Sequence, residues 1–197
     1  MEPLSGSNGD SPKSKREIDP LNIKNAEKKV REASFFLTKM TKHERPGFSA
    51  FGDKEAFDFY LSAFLNAGIS VRGTFHVEQD RKRDKAVKAW KKAWEGRLTP
   101  EQRCLWNFMR KDRAHEVHRS GSSRRLVTEN KELAGTHRLK SATATYNFPP
   151  NVRSSYPVPT YKFTIDGTER KVMEACEEYL TLLKQMVAKF KRDKPIP

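Results

Sequence analysis

The chain has 197 residues, with 39 Lys and Arg against 25 Asp and Glu, a formal net charge of +14 and a pI near 9.8. Twelve Phe, three Trp and five Tyr exclude a mostly disordered chain, and the length allows one domain with a real core. No apolar run approaches a membrane span and the first residues lack a signal-peptide core, so a cytoplasmic protein that keeps off membranes is expected.

The basic balance favours a polyanionic partner, nucleic acid first. The plainer reading is a soluble protein with lysine-rich helix faces. The excess is uneven: Arg81–Arg119 holds 13 Lys/Arg against 5 Asp/Glu, and Ser120–Lys162 holds 7 against 2.

Residues 1–20 are rich in Ser, Gly, Pro and charges of both signs, and read as a disordered tail. Residues 21–197 read as a single helical domain. The first helix is predicted over 21–44, where Val30, Ala33, Phe36, Leu37 and Met40 make one apolar stripe; Pro46-Gly47 ends it. A second helix starts near Asp53, a suitable N-cap, and lines one face with Phe57, Tyr60, Leu61, Phe64, Gly68, Val71 and Phe75. The same helix carries Ser62, Ala63, Ala67, Gly68, Ser70 and Gly73. Small residues let a second helix approach closely, as core packing or as a meeting face for two protomers.

A third helix, 83–95, buries Val87, Trp90 and Trp94 and turns Lys82, Lys85, Lys88, Lys91 and Lys92 to water, with Gly96 as its stop. Trp beside Lys suits a nucleic-acid stacking surface, although such Trp residues more often belong to a core. The fourth helix opens on LTPEQ: Thr99 as N-cap, Pro100 at N1 and Gln102 at N3 form a capping box. Leu105, Phe108 and Met109 bury one face, with Trp106 at the edge, and fraying is expected near 118–121.

From 120 to 160 periodicity is lost, and SGSSRR, NFPPN and YPVP read as loop, with short strands over 125–128 and 142–148. YKFTI-DG-TERKV is a hairpin around a type I′ turn, within 160–172. The last helix, 173–192, buries Cys176, Tyr179, Leu183, Met186, Val187 and Phe190. The expected fold is mainly α: an up-and-down helical bundle of four to five helices, its last helix packed against the first four, with a basic irregular insertion and a β-hairpin before that last helix.

Cys104 and Cys176 read as buried thiols without metal-ligand neighbours. No metal or cofactor is expected, and no Walker A loop, nucleophile elbow, HExxH or Rossmann fingerprint occurs. The chemistry concentrates in FMRKDRAHEVHRSG, residues 108–121. Arg113 and His118 stand five apart, as do Arg110 and His115. On a continuous helix that spacing separates two side chains by about 140°, so one chain converges them only if its last turn loosens. A twofold partner carrying the same motif also resolves the geometry.

Arginine offers a permanently charged planar fork matched to phosphate, and histidine gives and takes protons near neutral pH. Cleaving RNA without a metal needs these types: a base for the ribose 2′-hydroxyl, an acid for the leaving 5′-oxygen, and a cation on the phosphorane. The plainer readings are a helix C-terminus capped by Arg113 or His118, or Arg113 paired with Asp112 or Glu116.

A helical bundle with R-x4-H at the end of a late helix resembles the HEPN superfamily, and LWNFMRKDRAHEVHRSG is similar to bacterial proteins reading roughly F-M-x-x-x-R-N-x-x-V-H-R. Arg113 and His118 take the motif positions, Val117 takes the apolar place before the His, and Arg110, His115 and Glu116 are supporting candidates. The resemblance covers the first helix through the last, without the tail. It implies a homodimer with a cleft between two motif copies. Many members are metal-independent endoribonucleases, often toxins or defence effectors, and some pair with a nucleotidyltransferase antitoxin; others are non-catalytic binding modules. Ala114 departs from the family pattern, which commonly has Asn or Asp after the motif Arg.

Overall fold

The computed structural model describes residues 20–44, 54–75, 81–118, 124–133, 138–140, 145–147 and 154–193. Only the backbone is described at 20–22, 44, 54, 81–83, 114–118, 130–133, 138–140, 145–147 and 154–159. The proposed tail, the Pro46-Gly47 stop and the Asp53 cap lie outside the described residues, except that the first helix takes in Pro20.

Among the described residues there are five helices: α1 (Pro20–Glu44), α2 (Lys54–Gly73), α3 (Arg81–Glu95), α4 (Pro100–His118) and α5 (Val172–Asp193). Strands β1 (Arg125–Leu133), β2 (Arg138–Lys140), β3 (Thr145–Asn147), β4 (Ser154–Ile165) and β5 (Thr168–Lys171) lie between α4 and α5. The protein is mainly helical, as expected. Among the described residues no helix is long and apolar enough to cross a membrane.

Contacts along the helices give their directions. His43, late in α1, packs against Tyr60, early in α2, at 5.3 Å between ring centres. Glu27, early in α1, pairs with Lys191, late in α5. Arg72, late in α2, sits over the ring of Trp106, early in α4. Phe75, just past α2, packs on Phe190, late in α5, at 4.1 Å. Thus α2 and α5 run together, and α1 and α4 run against them on opposite sides of that pair.

The last helix is not an addition to a bundle made by the first four. It is the spine: eleven of its residues are buried, from Val172 to Phe190. Gly68 explains how α2 reaches it. A Cβ there would stand 2.7 Å from Tyr179 Cε1 and 3.3 Å from Leu183 Cδ1, so the small-residue face of α2 is used, at this point, inside one chain.

The third helix, α3, crosses the end of this pair. Trp90 meets Phe190 edge-on at 4.9 Å, and Trp94 lies 4.9 Å from Trp106. The Trp-containing face of α3 is therefore core packing. Trp106 is buried rather than at an edge, at 2% exposure, because Trp94 and Tyr179 flank it and its Nε1 donates to Glu95 Oε1 at 3.2 Å. Lys91 is also not on the wet side. Its Nζ donates to the Arg72 carbonyl at 2.8 Å, holding a C-terminal acceptor of α2. Burial first, then the Arg72 charge, push its ammonium below the usual lysine range.

β4 is the middle strand of an antiparallel sheet ordered β1-β4-β5, and β2 and β3 form a separate pair. The predicted hairpin is present: Tyr161, Phe163 and Ile165 are buried, Ile165 pairs with Thr168, and Asp166 and Gly167 take φ of 51° and 76°. Tyr161 stacks on Phe57 at 4.4 Å, and Phe163 meets Phe108 at 4.9 Å, which fixes the sheet on α2 and α4.

In the region read as irregular, β1 runs past the expected 125–128, and β3 lies within the expected 142–148. Ser154–Lys162 of β4 pairs with Arg125–Leu133, although β4 contains Pro157 and Pro159. β5 reaches only as far as Lys162, so among the described residues the proline-bearing stretch has one paired side, where proline is tolerated.

Candidate functional site at the end of the fourth helix

The start of α4 anchors the site. Thr99 Oγ1 accepts from Gln102 N at 3.3 Å and Gln102 Oε1 accepts from Thr99 N at 3.1 Å, the reciprocal capping box. Leu105, Trp106 and Met109 are buried and set the rotation of the helix.

That rotation turns Asp112 inward, at 1% exposure, and leaves Arg113 half-buried beside it. Arg113 Nε donates to Asn66 Oδ1 of α2 at 2.9 Å. The bond engages one edge of the guanidinium; the Nη nitrogens are the fork a phosphate takes. Arg110 and Lys111 are exposed. Arg113 is therefore tied to α2 by a hydrogen bond.

The backbone remains helical through His118. His115, Glu116 and His118 follow on that last stretch, where side chains are outside the described residues. The loosened turn that would let one chain converge its own Arg113 and His118 is thus not found. Their Cα positions lie about 140° apart around the axis.

The cations of the following region whose side chains are described are engaged with acids. Arg124 pairs with Asp58 and lies over Tyr161, and Arg125 pairs with Glu169. Lys162 sits between Glu129 at 2.8 Å and Glu169 at 3.4 Å, and hydrogen bonding to Glu129 raises its pKa. On α3, Lys85, Lys88 and Lys92 are exposed, with Lys88 held by Asp84 at 2.5 Å. The engaged residues are weaker phosphate attractors than the sequence count suggests.

Neither cysteine is in a disulfide; Cys176 is buried, but Cys104 is only half-buried, its Sγ 3.7 Å from Asp166 Oδ2. Burial, then the Asp166 charge, raise the Cys104 pKa, so it is a poor nucleophile. Among the described residues no three His, Cys, Asp or Glu side chains gather to hold a metal ion.

Sequence reasoning missed Asn66 and the burial of Asp112. Both carried signals. Asn66 is a polar residue between Leu65 and Ala67 of an apolar helix, and Asp112 continues the spacing Leu105–Met109 by three. Comparison with protein-family models, curated proteins and solved structures gave no match.

Proposed function

We propose that this chain is a HEPN-type endoribonuclease that cleaves RNA without a metal, as a homodimer. The supporting observation is α4 itself: a capped, well-anchored helix that stays helical through His118 while Arg113 is oriented by Asn66. With Arg113 and His118 diverging on one chain, a twofold mate is the simple way to bring a guanidinium and two imidazoles to one phosphate.

In this reading one His118 removes the proton from a ribose 2′-hydroxyl. The 2′-oxygen attacks phosphorus, the bond to the 5′-oxygen breaks, and the second His118 protonates that oxygen. The products are a 2′,3′-cyclic phosphate and a 5′-hydroxyl. Arg113 offsets charge on the phosphorane. Arg110, His115 and Glu116 are supporting candidates, and a toxin or defence role with an antitoxin partner is part of the same proposal.

The test is labelled RNA incubated with protein in EDTA, beside Arg113→Ala and His118→Ala. Cleavage by the native chain, reduced by about 10²- to 10⁴-fold in each variant, is expected. Equal cleavage by all three rules out these residues.

A second reading, a non-catalytic module binding RNA, a nucleotide or a protein partner, is favoured by Ala114 and by the Arg113–Asn66 bond, which gives Arg113 a structural role. Salt-sensitive RNA binding with no cleavage selects it.

A further inference from the structure

The outward face of α1 has a composition that the sequence count did not single out. Lys24, Lys28, Arg31, Phe35, Thr38 and Lys42 are all exposed, and they recur at intervals of four, three, four, three and four. They form one stripe along the helix, about 27 Å long at 1.5 Å per residue.

The stripe contains no acid. The described acids of α1 flank it and are paired: Glu27 with Lys191 of α5 at 3.1 Å, and Glu32 with Lys29 at 2.6 Å. In the middle stands Phe35, 53% exposed, one of the largest apolar side chains left in water. Lys39 lies over its ring, 5.2 Å from the centroid, adding a fifth cation, and Phe36 holds it edge-on at 5.5 Å.

We propose that this face of α1 is a docking surface for single-stranded nucleic acid, with the cations tracking phosphates and Phe35 stacking on an unpaired base. Charge complementarity selects a polyanion, and an exposed aromatic set among cations selects one whose bases are unstacked. A membrane surface fits less well, because the apolar face of α1 is already spent on α2 and α5.

The surface is separate from the proposed active site, since α1 and α4 lie on opposite sides of the α2–α5 pair. It does not depend on catalysis. A cleaved dinucleotide is too short to reach it, so its variants leave dinucleotide cleavage unchanged. Conversely, absence of any cleavage leaves the docking surface standing.

The experiment is fluorescence anisotropy of a labelled oligouridylate strand, with duplex RNA and phosphatidylserine vesicles as parallel probes. Lys24→Glu, Lys28→Glu and Arg31→Glu together should weaken strand binding by at least about tenfold and flatten the log–log salt dependence by about two. Phe35→Ala should weaken strand binding by about tenfold and duplex binding much less. The same charge reversal on α3, at Lys85, Lys88 and Lys92, should cost far less.

Equal losses from the α1 and α3 reversals would show net charge acting alone and overturn the proposal. So would unchanged strand affinity in Phe35→Ala, or binding to vesicles without binding to the strand. All these positions are exposed, and an unchanged thermal transition certifies each variant as folded.

Discussion

At its N-terminal end α4 is tied down by contacts within the chain. Thr99 and Gln102 exchange hydrogen bonds, Trp106 is held by Glu95, and Arg72 rests on the same ring. At its other end Arg113 takes Asn66, and the helix then continues through His118 with its polar positions diverging. One end is explained by local rules and core packing. In the proposed reading the other carries chemistry that a second molecule completes, so the same helix serves as support at one end and carrier at the other.

If that contrast is right, damage to the first end should cost stability and damage to the second should cost activity. The largest stability effect is expected for Trp106→Ala, about 3–5 kcal/mol, from lost burial and a cavity between Trp94 and Tyr179; urea unfolding measures it. Gly68→Ala follows at about 1–3 kcal/mol by overpacking against Tyr179 and Leu183, and a result near zero would show that α2 and α5 are less tightly joined than described.

Thr99→Ala should cost about 1 kcal/mol by removing the cap. Arg113→Ala should cost no more than about 1 kcal/mol, since the hydrogen bond described for it, to Asn66, is part-exposed, while lowering cleavage by about 10²- to 10⁴-fold. A larger loss of stability with unchanged RNA handling would reverse the contrast and make Arg113 a structural residue.

The smallest effect concerns acid. The Trp90 hydrogen bond, first, and then Lys189 hold the Asp193 carboxyl below the usual carboxylate range. Its stabilising contribution is complete above the ordinary carboxylate pKa and is lost as pH falls through the lowered folded value. Asp193→Asn should abolish that part of the acid dependence of the thermal midpoint.

The legible features were those with local causes. The capping box at Thr99–Gln102 and the Asp166-Gly167 turn are written in consecutive residues, and both are present. The apolar stripe of α1 follows from periodicity alone. The features missed depend on partners distant in sequence. Trp106 sits in the core because α3 folds back over it, Lys91 is drawn in by an α2 carbonyl, and Pro157 and Pro159 sit in a strand because β5 stops short. Arg113 and His118 were visible as a motif, but the Asn66 contact was not, since nothing local links α2 to that turn.

The central claim is that one cleavage site needs both protomers. A fixed amount of native protein can be mixed with increasing His118→Ala protein, allowed to exchange subunits, and assayed on RNA in EDTA. Random pairing predicts that an equal amount of variant lowers cleavage to about half, and a large excess abolishes it, because mixed dimers lack one imidazole. Cleavage that stays constant as variant is added, with exchange verified, would contradict the shared site.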